Sequence, residues 1–369
     1  MRDGRPTLRL SFLKRARRTA MCVALAAGAL ASGGACCQAQ GALLLEQPYG
    51  FFGTVNPTGH SALYFARICA ETPVKLRRCE ASEQGAVLGK YEGIDGYEWL
   101  AIPLLPYLYS VEAAGDVPAR ADRAMVTGLR NRYRASRLQS LGPNVSTGNL
   151  IHGGWTELEG IAYERRTYAF WFDTTAEQDD ALIARLDHDP NHTHFHMFTD
   201  NCADFVRVLL NGYFPNGFER SLLPDLGVTT PKQIATMLRR YGRRHPETRL
   251  TVFEIPQVPG SRRRSISNKS IAESLITTPY AIPIVFASPY LAGGLVVDYF
   301  ARGGFHAVPK NPQILTPGDL MALTGNSFAA QNAGSAGAQV PSAAGSGIPG
   351  TGVSATAQSG LKGIKDLHE

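Results

Sequence analysis

The sequence predicts an α+β fold, with helices grouped on one side of an antiparallel sheet. Three observations carry that expectation. Short runs rich in aromatic and β-branched residues, such as 59–67 (GHSALYFAR) and 166–173 (RTYAFWFD), read as strands. Other runs, 120–138 and 203–210 among them, repeat with the one-sided spacing of amphipathic helices. Their order along the chain, strands and a helix and then strand–helix–strand–helix, fits such a layout.

Residues 1–39 read as an export signal. Lys14, Arg15, Arg17 and Arg18 form a basic start, and residues 20–31 an apolar core too short to span a bilayer comfortably. Cys37-Gln38-Ala39 offers small residues at the two positions that a signal peptidase reads. Lipoprotein processing at Cys36 or Cys37 ranks second, because Gly34 and its neighbours lack the usual large aliphatic residue. The mature chain is therefore expected in the periplasm or secreted, where disulfides persist.

Charge follows the same division. The chain has 37 Lys and Arg against 31 Asp and Glu, a formal net charge of +6. Residues 1–40 hold seven of the basic residues and one acidic residue, so the remainder carries 30 of each and is neutral. A basic sequence pI is then no argument for nucleic acid as a partner.

Six cysteines are present, and Cys22, Cys36 and Cys37 fall in or beside the signal. Cys69 and Cys79 lie ten residues apart around a Pro-containing loop, a spacing that suits a small disulfide. Cys202 is left over, and a single thiol in an exported protein is a candidate for reactivity. It stands at the start of DNCADFVRVLL, where Asp200 and Asn201 are favoured N-cap types and Ala203, Phe205, Val206, Leu209 and Leu210 give the apolar face of a helix. A thiol in a first helical turn faces unpaired N–H groups and the positive end of the macrodipole, both of which favour thiolate.

Taken in order, residues 59–67 form a strand with His60, Ala62, Tyr64 and Ala66 on one face, followed by the cysteine-closed loop. Residues 86–94 and 97–111 look extended, with Pro103 and Pro106 marking the second as an edge or broken strand. A helix follows over 120–138, then a Gly-rich stretch over 142–160 that includes His152. Residues 166–173 are a strand, and Thr174 or Thr175 caps a helix through Leu186. Residues 194–198 read as a short strand running into Cys202. A helix with Pro231 near its start and a strand over 249–258 come next. Residues 280–300 are the most apolar stretch after the signal, interrupted by Pro283, Pro289 and Gly293-Gly294. They are expected to pack on the domain, or to lie on a membrane surface, without spanning it. The Ala/Gly/Ser/Pro-rich residues 325–369 predict a disordered tail.

The pattern GHSALYF, followed far downstream by NCADF opening a helix, resembles the circularly permuted papain-like superfamily. This is the NlpC-like branch that includes relatives of lecithin–retinol acyltransferase. That resemblance covers residues 45–215 and implies a permuted papain-like domain, an antiparallel sheet with packed helices, in which His60 serves as base and Cys202 as nucleophile. Such families carry a third polar residue on a strand after the histidine, and here Glu71, Lys90, Tyr91 and Glu92 are all candidates. Asn201 and the Cys202 N–H are candidates for oxyanion or orienting roles. Residues 216–324 are then a C-terminal extension.

Three functions are weighed. The first is an exported thiol hydrolase or acyltransferase acting on an amide or ester, with cell-wall peptide as preferred substrate. The second is a lipid-ester enzyme at the membrane surface, touching it through residues 280–300. The third is an inactive binding module of the same fold. No cofactor is expected. A metal site from His192, His194, His196 and Cys202 has the right same-face spacing, but lacks an HExxH or paired-cysteine signature, so none is expected. Gly345–Gly350 fits GxGxxG only within the low-complexity tail, with no strand before it.

Overall fold

The structure is a computed structural model and describes residues 40–50, 53, 57–94, 96–141, 158–192, 195–220, 225, 227–260, 264–277, 283, 286–298 and 307–324. The signal region, His152, His194 and the tail lie outside the described residues. The fold is α+β, as the sequence predicts.

Its frame is a seven-stranded sheet in the order β6-β5-β2-β1-β7-β8-β9. The strands are β1 (Gly41–Glu46), β2 (His60–Phe65), β5 (Ala86–Ile94), β6 (Tyr97–Pro103), β7 (Thr167–Phe172), β8 (Thr251–Ile255) and β9 (Gln313–Ile314). All neighbours are antiparallel except β8 and β9. The central strand β1 has every residue buried, so GALLLE reads as a continuous apolar run with no alternation. β3 (Ile68–Thr72) and β4 (Lys75–Arg78) form a separate two-stranded ribbon. The Cys69–Cys79 disulfide closes that ribbon just beyond the end of β2.

Strand alternation separates two apolar layers. Leu43, Leu45, Leu63, Phe65, Phe170 and Phe172 face one side. There they meet α3 (Ala176–His188), α4 (Cys202–Tyr213) and α5 (Pro231–Arg244). Leu44, Ala62, Tyr64, Val87 and Trp171 face the other, against α1 (Leu104–Tyr109) and α2 (Arg123–Arg137). Helices thus cover both faces, not one. The difference arises at 103–109, where Pro103 ends β6 and acts as N-cap of a fully buried helix. Pro106 is tolerated there because a first-turn N–H has no intrahelical partner anyway.

Two further expectations differ from what is seen. Residues 195–200 form a turn closed by an isolated bridge between His196 and Asp200, not a strand. The sheet also runs past residue 215, since β8 pairs with β7 along five residues and α5 supplies Ile234, Ala235 and Leu238 to the same core as α4. The region after 215 completes the sheet, so the expected boundary at 215 falls inside one core.

Within the described part of 280–300, α7 (Pro289–Asp298) packs against α6 (Ile271–Thr277) and leaves Tyr290 93% and Val297 68% exposed. No described helix is long and apolar enough to cross a membrane.

Candidate active site

The first turn of α4 is built by its cap. Asn201 Oδ1 accepts from the Ala203 and Asp204 N–H groups at 2.8 and 3.1 Å, and Asp204 answers by accepting from the Asn201 N–H. This is a capping box, with Asn in place of the usual Ser or Thr. Asn201 Nδ2 donates to Met197 O and Thr229 O, at 2.9 and 3.1 Å. Both amide hydrogens are thereby engaged, so what Asn201 contributes is orientation of the helix start, not a donor to an oxyanion. Asp204 is buried and also accepts from Thr229 and Arg220, at 2.6 and 2.7 Å. Asp200 is not the cap. It pairs with the fully buried Lys90 at 2.6 Å, and Lys90 also reaches Glu98 at 2.9 Å.

The cap delivers Cys202 to the beginning of β2. Its thiol is influenced by Ser61, a fully buried residue of β2, and by the Ala203 N–H. These donors favour thiolate, as a helix start should, but burial outweighs them and the nearby Glu46 carboxylate adds to it. The thiol is pushed up to about 11. The helix start therefore does not hold a resting thiolate, contrary to what its position alone suggests. Cys202 is the free cysteine among the described residues and is half-buried.

His60 is the residue before Ser61 and opens β2. Gly59 precedes it at φ +77°, and a Cβ there would sit 2.2 Å from both Asn268 Nδ2 and the Glu46 carbonyl oxygen. Asn268 donates to that carbonyl at 2.7 Å and to Thr58 O at 2.9 Å, so the glycine lets 264–270 close against the entry to β2. By alternation Ser61 faces α4, while His60 shares the other face with Ala62 and Tyr64. Its ring stacks on Tyr91, with centroids 5.6 Å apart. The structure thus brings Cys202 to the strand that carries His60, and sulfur and imidazole approach the start of β2 from its two sides. Burial, followed by the Arg165 charge, holds the imidazole down to about 3. Both groups are neutral at pH 7.

Of the four candidate third residues, Tyr91 touches the imidazole and Lys90 braces the segment before Cys202. Glu71 lies away on β3, paired with Lys75, and the Glu92 side chain is outside the description. Further residues, not singled out by any sequence motif, stand on His60's side. Glu46 ends β1 and is buried, accepting from the Tyr107 hydroxyl and from Arg165 Nη1 at 3.2 Å. Arg165 in turn lies over the Tyr49 ring, 4.6 Å from its centroid. Glu46 is the sole charged residue between Gln40 and His60, a carboxylate closing an apolar run, and that was its signal.

Neither family models, nor curated proteins, nor solved structures give a match to this chain. His192 and His196 are exposed, with His196 on a turn. The one grouping of potential ligands among the described residues is Cys69, Cys79 and Glu83, whose two sulfurs are already bonded to each other.

Proposed function

We propose that the chain is an exported thiol hydrolase or acyltransferase of the permuted papain-like type, acting on an amide or ester carbonyl through Cys202. One observation carries the reading: a free cysteine in the first turn of a doubly capped helix, held against the strand residue that follows His60. Two neutral partners define the chemistry. A thiol near 11 and an imidazole near 3 do not exchange a proton at rest, so His60 acts as general base during attack and not as half of a standing ion pair. The thiol proton passes to the imidazole as sulfur bonds to the carbonyl carbon. The imidazolium returns it to the leaving amine or alcohol, and water or a second acceptor resolves the thioester. Because the two groups flank β2, that transfer requires a bridging water. The Ser61 and Ala203 N–H groups both favour thiolate at Cys202, and donors of that kind suit the oxyanion next to it.

Cell-wall peptide is the substrate proposed first, in keeping with export and the Cys69–Cys79 bridge. The test is release of amine or alcohol from a panel of muropeptides and acyl esters. Cys202→Ser and His60→Ala are expected to lose activity by ~10²-fold or more. Equal turnover by Cys202→Ser and the parent chain would discard the reading.

The exposed apolar residues Phe286, Tyr290 and Val297 favour a second reading, a lipid ester presented at a membrane surface. Co-sedimentation with phosphatidylglycerol vesicles that is abolished by Tyr290→Ser with Val297→Ser supports it, and no sedimentation removes it.

A further inference from the structure

We infer that Glu46 is the positioning residue for His60, in the role that the resemblance assigns to a polar residue on a strand after the histidine. The inference rests on the proposed Cys202–His60 chemistry. Glu46 and His60 are direct register partners across β1 and β2. Directly opposed residues of an antiparallel pair share a face, with Cβ atoms about 4.5–5.5 Å apart. Both are buried, on the face opposite α4. The strand that supplies the carboxylate therefore precedes the histidine in sequence and neighbours it in the sheet.

The carboxylate is itself fixed. The Tyr107 hydroxyl, from α1, donates to Oε1, and Arg165, just before β7, donates to Oε2. Each carboxylate oxygen accepts more than one hydrogen bond, so neither contact exhausts it. Tyr91 from β5 stacks on the imidazole and the Arg165 charge acts on it. Glu46 stands opposite His60 in the β1–β2 register, bonded to Tyr107 and Arg165, while Cys202 lies on α4 across the strand. Arg165 opposes a charge on the imidazole, and Glu46 is the one carboxylate in this set. When His60 takes the thiol proton, Glu46 offsets the Arg165 charge and stabilises the imidazolium. Tyr91 meanwhile confines the plane of the ring. Removing the carboxylate takes away the negative charge that Arg165 Nη1 contacts on this face.

The experiment compares the parent chain with Glu46→Gln, Glu46→Asp and Tyr107→Phe, each first shown folded by its thermal transition. Two readouts are taken: ¹⁵N shifts of the His60 ring nitrogens at pH 7, and kcat with KM on the best ester or amide of the panel. The inference predicts one dominant His60 tautomer in the parent and a mixture in Glu46→Gln. It predicts a kcat loss of ~10²-fold in Glu46→Gln with KM within about threefold. Glu46→Asp should recover part of that loss, and Tyr107→Phe should lose less than Glu46→Gln. Unchanged ¹⁵N shifts in a folded Glu46→Gln would overturn the inference whatever the activity. The same holds for a kcat loss that Glu46→Asp fails to restore while the shifts stay put. A parent chain with no turnover, but with His60 shifts that respond to Glu46, would instead sink the function and leave the pairing standing.

Discussion

His60 makes the stability of this protein depend on pH in a direction that can be worked out. Its imidazole is held at about 3 in the folded chain against 6.5 when free. Between those values the unfolded chain binds the proton and the folded chain does not, so stability is full above 6.5 and falls as the pH drops toward 3. The slope from this one group approaches about 1.4 kcal/mol per pH unit within the window. Denaturant titrations of the parent and His60→Gln at pH 7 and pH 4.5 read it directly. The parent should lose more stability than the variant on acidification, and equal losses would mean that His60 is not buried in neutral form. The pairing of that histidine with Glu46 was beyond the reach of sequence alone. Glu46 and His60 are fourteen positions apart, and only the β1–β2 register sets them side by side. Burial of the Cys202 sulfur was similarly hidden. Helix position predicts a low thiol pKa, whereas packing against Ser61 decides it.

At the level of elements, α4 and its cap were the most readable part of the chain. Local chemistry fixes them: an Asn followed three residues later by Asp204, then apolar residues at helical spacing. The same holds for α3, where Thr175 and Gln178 form a capping box. β1 carries no strand signature in the sequence, because burial on both faces erases the alternation that identifies one. The turn at 196–200 departs from the expected strand because alternating histidines in the sequence mimic a strand face, whereas His196 is exposed on a turn. Asn201→Ala tests what the cap does. It removes the oxygen that accepts from both the Ala203 and Asp204 N–H groups and leaves the Met197 and Thr229 carbonyls without this donor. A loss of about 1–2 kcal/mol is expected by chemical denaturation, with kcat per folded molecule within a few-fold of the parent. A far larger kcat loss in a fully folded variant would return Asn201 to the oxyanion role.

For the molecule as a whole, the sheet sets what can be separated from what. β7 is paired on both sides, to β1 and to β8, and α5 shares the α4 core. A chain cut after Pro215 would expose the β7 edge and remove Ile234 and Leu238 from that core. It should show no cooperative thermal transition, and a transition like that of the full chain would mean that 45–215 folds alone. The sheet also explains why Cys202 lies where it does, since α4 crosses β2 with its first turn at Ser61. That placement is most directly tested by intact-protein mass spectrometry with peptide mapping, after brief exposure to an activated acyl ester near pH 7.5. A Cys202 nucleophile aided by His60 gives one acyl adduct, on Cys202, that decays with turnover and forms far more slowly in His60→Ala. An adduct elsewhere, or one forming at Cys202 equally fast without His60, contradicts it.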